Sequence, residues 1–425
     1  MRKLKDSNLD RRRKTNSKKT KEKLSPRAMR KEKRDSKKKS LKISRSQKTN
    51  EMDTKLKRKK KSKFLPFDYY ILLCVLLLVF IGVVMVFSAS FVQAGYKFSD
   101  PYFFLKRSVI YAIAGIIFML IFSRVNYRIL RNYSMFFLIT TSILLILVFT
   151  PLGMNIYGSS RWIRFKGFTL MPSEIAKFVN IFLVAKILDM KKDEIRVGVQ
   201  GVIPVLIVSL YFFVMIIKQP DLSTSASILM TTFVMLFVAG LQYRYLFMAV
   251  ISGILGIAGL IIVAPYRMAR FMTFLDPFKD PTGTGMQVVQ SLYAFGTGGV
   301  FGSGLGRSVQ KYFHLPEPQN DFIFAIIGEE LGYVGCITII FIYLFLIFRC
   351  IKVAINVKDS YASYLVLGII AQIAIQTLIN IGVATSSIPN TGIALPFISY
   401  GGSSLVIILS CMGIILNISR TVERN

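Results

Sequence analysis

Histidine and tryptophan each occur once in this chain, as His314 and Trp162. A single histidine leaves too little material for a His-rich zinc site or a His-based nucleophile triad. The four cysteines, Cys74, Cys336, Cys350 and Cys411, lie in or at the ends of apolar runs. No Cys-x-x-Cys pair is present, so neither a disulfide framework nor a thiolate metal site is on offer, and packing is their expected role. Acidic residues are scarce as well: 22 Asp and Glu stand against 55 Lys and Arg, a formal net charge of +33. A glycine-rich stretch, Gly296 to Gly306, is followed by no Gly-Lys pair and preceded by no expected strand, which excludes a Walker A loop and a dinucleotide fingerprint.

Such a charge would suit a nucleic-acid binder, yet 53% of the 425 residues are hydrophobic. The conflict disappears when the chain is divided. Residues 1–63 hold 29 Lys and Arg against 7 Asp and Glu, a net of +22, whereas residues 64–425 carry only +11. The first segment has no aromatic residue. A segment of that composition cannot bury a core and is expected to be a disordered polybasic tail. It suits a solvated topology anchor, or attraction to anionic lipid at about 1 kcal/mol per basic residue near the surface, with nucleic-acid binding as the competing reading of the segment taken alone. No nucleic acid is expected as a partner, because the rest of the chain reads as a membrane domain.

After Phe64 come ten apolar runs, at roughly 68–91, 108–123, 133–150, 173–188, 199–217, 223–240, 246–264, 322–348, 361–384 and 402–418. Most approach the length needed to cross a bilayer, about 20 residues. They are continuous rather than alternating, so helices are expected and a barrel is not. The expected fold class is therefore all-α: a polytopic membrane domain over 64–425, with a large extracytoplasmic loop between the seventh and eighth helices, at about 265–321. The basic tail sets the N-terminus in the cytoplasm; an even number of spans returns the C-terminus there. The outer loops then hold an unexplained excess of cations, including Arg161, Arg164, Lys166, Arg267 and Arg270.

Three clusters carry chemistry. The large loop has six glycines between Gly296 and Gly306 and ends in Leu315-Pro-Glu-Pro-Gln-Asn-Asp321. The glycines suit either a tight re-entrant segment or a backbone cradle beside a ligand. Asp321, at the start of an apolar helix, suits either a helix cap or a general base. Glu329 and Glu330, two turns deeper, are expected to neutralise Lys177 or an Arg of a neighbouring helix, because intramembrane carboxylates are costly alone. The second cluster is Arg161-Trp-Ile-Arg164-Phe-Lys166, followed by Pro172-Ser-Glu174-Ile-Ala-Lys177. Trp162 suits an interfacial anchor, Glu174 and Lys177 a pair at i, i+3, and the cations a phosphate headgroup. The third is Gln219-Pro-Asp221-Leu-Ser-Thr, where Asp221 suits a helix cap or a partner for the basic loops.

Together these segments resemble the SEDS family (shape, elongation, division and sporulation). The resemblance covers roughly residues 66–420 and rests on four segments in the family's order: Gly158-Ser-Ser-Arg-Trp-Ile with Pro172–Lys177; Gln219–Thr224; Leu315–Phe324 with Glu329-Glu-Leu-Gly; and Pro396-Phe-Ile-Ser-Tyr-Gly-Gly-Ser-Ser404. The third and fourth look more like the FtsW and SpoVE branch than RodA. Ser223 stands where the family often has Gly, and Met171 where it often has Gln. The basic tail is outside the family pattern.

The resemblance implies a peptidoglycan glycosyltransferase of the bacterial plasma membrane, acting at the division septum. Its substrate would be lipid II, an undecaprenyl-pyrophosphate disaccharide-pentapeptide. Its partners would be a class B penicillin-binding protein, the transpeptidase, and other division proteins. Asp321 matches the family's essential acid, and Arg161, Trp162 and Lys177 match its characteristic Arg, Trp and Lys. On this reading Asp321 deprotonates the acceptor hydroxyl or positions a divalent cation, and Arg161, Arg164, Lys166, Arg267 and Arg270 hold the pyrophosphate. A lipid II flippase and a non-catalytic scaffold for the transpeptidase are the alternatives. Gln372, Gln376 and Asn380, polar positions in apolar runs, are compatible with a flippase, but no inverted repeat is evident.

Overall fold

The computed structural model describes residues 67–422, apart from 157–158, 166–167 and 313. The polybasic segment, Gly158 and Lys166 lie outside the described residues. All ten apolar runs fall on helices: α1 (Tyr69–Phe98), α2 (Phe103–Phe122), α4 (Ser134–Leu147), α5 (Pro172–Met190), α7 (Ile203–Ile217), α8 (Leu222–Val238), α9 (Tyr243–Val263), α12 (Ile323–Asn356), α13 (Ser360–Ala384) and α14 (Ser403–Ser419). Between them lie short α3 (Arg128–Asn132) and α6 (Lys192–Val197), and two further helices inside the large loop, α10 (Pro265–Leu275) and α11 (Met286–Gly298).

Local chemistry sets several helix starts. The carboxylates of Asp68, Asp221 and Asp359 accept from backbone amides in the first turns of α1, α8 and α13, taking up donors a helix N-terminus leaves open. Pro172 opens α5 at a position whose missing N–H costs nothing.

Five helices, α1, α2, α9, α12 and α13, are long and apolar enough to cross a membrane, and α4, α7, α8 and α14 are shorter apolar helices. The chain is a multi-pass membrane protein. Residue α5 composition is less apolar, but α5 is the hub: it packs against α4, α7, α8 and α13 and buries most of its length. At the opposite extreme α9 buries none of its residues, as suits a helix apolar on all sides and facing lipid.

Polar side chains inside the bundle satisfy one another. Asn180, Ser209 and Thr232 join α5, α7 and α8, with contacts of 2.9–3.1 Å. Gln372 of α13 accepts from Thr231 at 2.8 Å and donates to Ser227 at 3.3 Å. This is interhelical hydrogen bonding of the kind that holds apolar bundles together.

The two ends of the bundle are distinguished by their contacts. At one, Asp68 pairs with Arg349 and its amide donates to Ser419, and Arg131 pairs with Asp189. At the other, Gln93 near the end of α1 donates to Leu315 O, bringing the segment before Asp321 over the bundle. That second end carries a small antiparallel sheet which the sequence reading missed: β1 (Gly153–Ile156), β2 (Ser159–Phe165) and β3 (Phe168–Leu170), in the order β1-β2-β3.

A candidate active site around Asp321

Asp321 lies just before α12. Phe322, the residue flanking the helix, makes no side-chain cap, and no described residue donates a hydrogen bond to the Asp321 carboxylate. The cap reading therefore gives way to a free, largely enclosed carboxyl. Asn380 of α13 donates to Asp321 O at 2.8 Å, and two residues earlier the Tyr400 amide donates to Gln319 O at 2.9 Å. Burial raises its pKa most, Glu317 and Asp221 add to the rise, and Arg270 and Arg161 oppose it; the outcome is about 6.

Arg161 arrives from β2. Its Nε donates to Gln219 O at 3.4 Å, an Nη donates to Pro220 O, and its Nη1 lies 3.9 Å from Asp221 Oδ2. Asp221 in turn caps α8 through Thr224 N at 3.1 Å. It thus fills both roles expected of it, cap and partner to a basic loop. Successive residues of a strand face opposite sides, so Trp162 and Arg164 point away from the side Arg161 uses; Trp162 is half-buried and Arg164 exposed.

Arg270 arrives from α10. It borders a cavity of about 350 Å³ whose polar lining includes Thr273, Thr284, Gln287 and Asn390, and its Nη1 donates to Asn390 O at 3.4 Å. One turn earlier, Arg267 is turned elsewhere: it donates to Tyr266 Oη at 2.8 Å and to Leu260 O at 3.1 Å. Of the predicted cations, then, Arg161 and Arg270 lie near enough to act on the charge of Asp321, whereas Arg267 is taken up by Tyr266 and the end of α9. Lys177 is buried on Glu174, 2.7 Å away, as the i, i+3 spacing predicts, and the second Glu174 oxygen accepts from Ser404 at 2.7 Å.

The expected partner of Glu329 and Glu330 needs correction. Among the described residues neither meets Lys177 or an arginine. Glu330 pairs with Lys311 at 2.9 Å and accepts from Ser88 at 2.7 Å. Glu329 accepts from the Val309 amide at 2.7 Å and from the Ser308 hydroxyl. Lys177 was already matched within its own helix, while Lys311 sits on the loop that folds back along α12.

That loop also resolves the glycine-rich stretch in favour of a re-entrant segment. Gly332, at φ +68°, interrupts α12 and frees backbone groups that an apolar setting must satisfy. The stretch supplies the partners: Ser303 N and Gly304 N donate to Glu329 O and Glu330 O, and Tyr333 N and Val334 N donate to Gly299 O and Val300 O, all at 2.9–3.1 Å. A Cβ on Gly332 would stand 2.3 Å from Gly302 N, so the approach requires glycine.

Glu317 and Asn380 are the residues of the site that the sequence reading did not assign to it. Glu317 was visible only within its Pro-Glu-Pro motif, and Asn380 only as a polar residue in an apolar run. Among the described residues, no group of three or more His, Cys, Asp or Glu side chains assembles to hold a metal ion.

Fold and site together define a multi-pass membrane protein that gathers one free carboxyl and two arginines at one end of its bundle. The family model for the cell cycle proteins FtsW, RodA and SpoVE matches residues 68–424, and the chain belongs to that family. It is 45% identical over 354 residues to stage V sporulation protein E of Bacillus subtilis (strain 168), covering 83% of this chain and 97% of that one. It is 42% identical over 354 residues to a probable peptidoglycan glycosyltransferase FtsW of Trichlorobacter lovleyi, covering 83% and 93%. Among solved structures, a chain of a peptidoglycan synthase complex that coordinates polymerization and crosslinking superposes with a TM-score of 0.70 at 27% identity, covering 84% of this chain and 98% of that one. The rod shape determining protein RodA of Thermus thermophilus shares the fold, with a TM-score of 0.61 at 22% identity, covering 85% and 100%.

Proposed function

We propose that this protein is a peptidoglycan glycosyltransferase that polymerises lipid II at the outer face of the bacterial plasma membrane, with Asp321 as the general base. The observation that carries the reading is a carboxyl to which no described residue donates a hydrogen bond, with Arg161 and Arg270, from separate elements, near enough to favour its charge. The 4-hydroxyl oxygen of one lipid II bonds to the anomeric carbon of the growing chain while the bond from that carbon to the diphosphate breaks. Undecaprenyl diphosphate leaves with the bonding electrons, the configuration inverts, and the hydroxyl proton passes to Asp321. A base with a pKa near 6 is ionised at neutral pH yet still takes a proton readily. The negative charge growing on the diphosphate needs fixed positive charge beside it. Arg270 is exposed and has donors to spare; Arg161 is half-committed to the turn before α8.

On this reading the Asp321 end faces outward and the polybasic tail stays in the cytoplasm, where it meets anionic lipid. Residues 1–63 form the tail and 64–425 the membrane domain. A class B penicillin-binding protein crosslinks the glycan, and the complex works at the septum with other division proteins. The flippase reading loses its support in Gln372, whose hydrogen bonds knit α8 to α13. Purified protein, reconstituted with labelled lipid II with and without a cognate transpeptidase, separates the readings. Glycan polymer on a gel marks a polymerase; transfer between leaflets without polymer marks a flippase; neither marks a scaffold.

A further inference from the structure

The segment after α13 passes over Asp321, and its carbonyls are taken up by three different helices. Arg270 of α10 donates to Asn390 O at 3.4 Å, Ser223 of α8 to Thr391 O at 2.7 Å, and Asn380 of α13 to Ile393 O at 2.8 Å. The same Nδ2 of Asn380 donates to Asp321 O at 2.8 Å, across 59 residues of chain. Asn380 is 1% exposed, and its Oδ1 has no partner; its placement is governed by the nitrogen. Between these points lies Gly392, at φ +75°, where a Cβ would stand 3.4 Å from Asp321 Oδ2. The backbone therefore lies against the carboxylate itself.

We propose that residues 390–393 are a strap that holds and shields the Asp321 carboxyl, and that Asn380 is the positioning residue that pins the strap to Asp321, with Ser223 as a second pin. This rests on the reading of Asp321 as the base. The second pin depends on the Ser223 hydroxyl, which donates to Thr391 O; glycine, which the resembling family often has at this position, could not supply it. The charged groups acting on the carboxyl are Glu317 of the preceding loop, Asp221 before α8, Arg161 of β2 and Arg270 of α10. With the pins removed, the partly enclosed carboxyl opens further to water and the burial that raises its proton affinity is relieved. Misplacing a reacting group by about 1 Å can cost about a hundredfold in rate, and one uncharged hydrogen bond about threefold.

The test compares Asn380→Ala, Ser223→Gly and Asp321→Asn with the parent chain, in nanodiscs, by lipid II polymerisation across pH 4.5–8.5 and by amide hydrogen exchange. Asn380→Ala is expected to lower kcat about a hundredfold, with a smaller change in KM, and to move the acid limb of the profile to lower pH. Ser223→Gly, a small change at a helix start, is expected to lower kcat about threefold and move the limb the same way. Both should speed exchange over 317–323 and 388–396 while leaving α1 unchanged. A folded Asn380→Ala with an unmoved limb and unmoved exchange overturns the proposal, even if its rate is low. If Asn380→Ala does not fold, Ser223→Gly with unmoved limb and exchange overturns it. An active Asp321→Asn would instead refute the base assignment, and the exchange arm would still decide whether the strap is pinned.

Discussion

The ammonium of Lys311 lies 2.9 Å from the carboxylate of Glu330, and both are shut away from solvent. One belongs to the re-entrant loop and the other to the first half of α12, so this pair fastens the two. Breaking a buried pair from one side leaves a charge without a partner, at about 3–5 kcal/mol. Lys311→Met and Glu330→Gln should each lower thermal stability in detergent by that order. The double variant should lose much less than the sum of the two. Additive losses would mean that the pair is not what holds the loop.

Glycine should be irreplaceable at the α12 break and replaceable on α9. Gly332→Ala forces a side chain into a left-handed conformation against Gly302 and should cost at least about 1–3 kcal/mol. Gly259→Ala meets open space and should leave stability unchanged or raise it by up to about 1 kcal/mol. Thermal unfolding of both variants, monitored by intrinsic fluorescence, checks the contrast.

The arginines should separate by position rather than by charge. Arg270→Ala is expected to lower kcat/KM for lipid II polymerisation about 10²-fold or more, as loss of one fixed stabiliser does. Arg267→Ala, whose side chain is spent on Tyr266 and Leu260 O, should stay within severalfold of the parent. Equal losses from both would place the diphosphate elsewhere on α10.

Asp321 links activity to pH and stability in opposite directions. Its pKa in the folded protein, about 6, lies above its unfolded value, so folding favours the protonated carboxyl. The stability this group contributes is present below the unfolded value, near 4, and is lost as pH rises through 6. Activity requires the ionised form and should fall about tenfold per pH unit below 6. Asp321→Asn should therefore be inactive, and more stable than the parent at pH 8 by about 1–3 kcal/mol. That advantage should disappear near pH 4. Unfolding scans at both pH values measure it.

Much of this architecture could be read from the sequence because long apolar runs admit few alternatives to helix. Even 173–188, with Glu174 and Lys177 inside it, forms a helix, because the two charges neutralise each other at i, i+3. The sheet at 153–170 escaped notice: its strands are short and lack the long alternation that marks a half-buried strand. Asp321, Arg161 and Arg270 were legible as types of residue in suggestive loops. Their convergence was not, because it depends on which loops share an end of the bundle and which way each side chain turns. The same limit explains Arg267, one helical turn from Arg270 and indistinguishable from it in sequence. It also explains Lys311, whose partnership with Glu330 exists only because the glycine-rich segment folds back on α12.

The most direct test of the Asp321 assignment is a single-turnover assay of labelled lipid II with the parent chain and Asp321→Asn, each purified with the proposed transpeptidase partner and shown to be folded. The parent should release undecaprenyl diphosphate and extend glycan in equal amounts, and Asp321→Asn should do neither. Glycan made by Asp321→Asn at a rate near the parent's would contradict the assignment of the base.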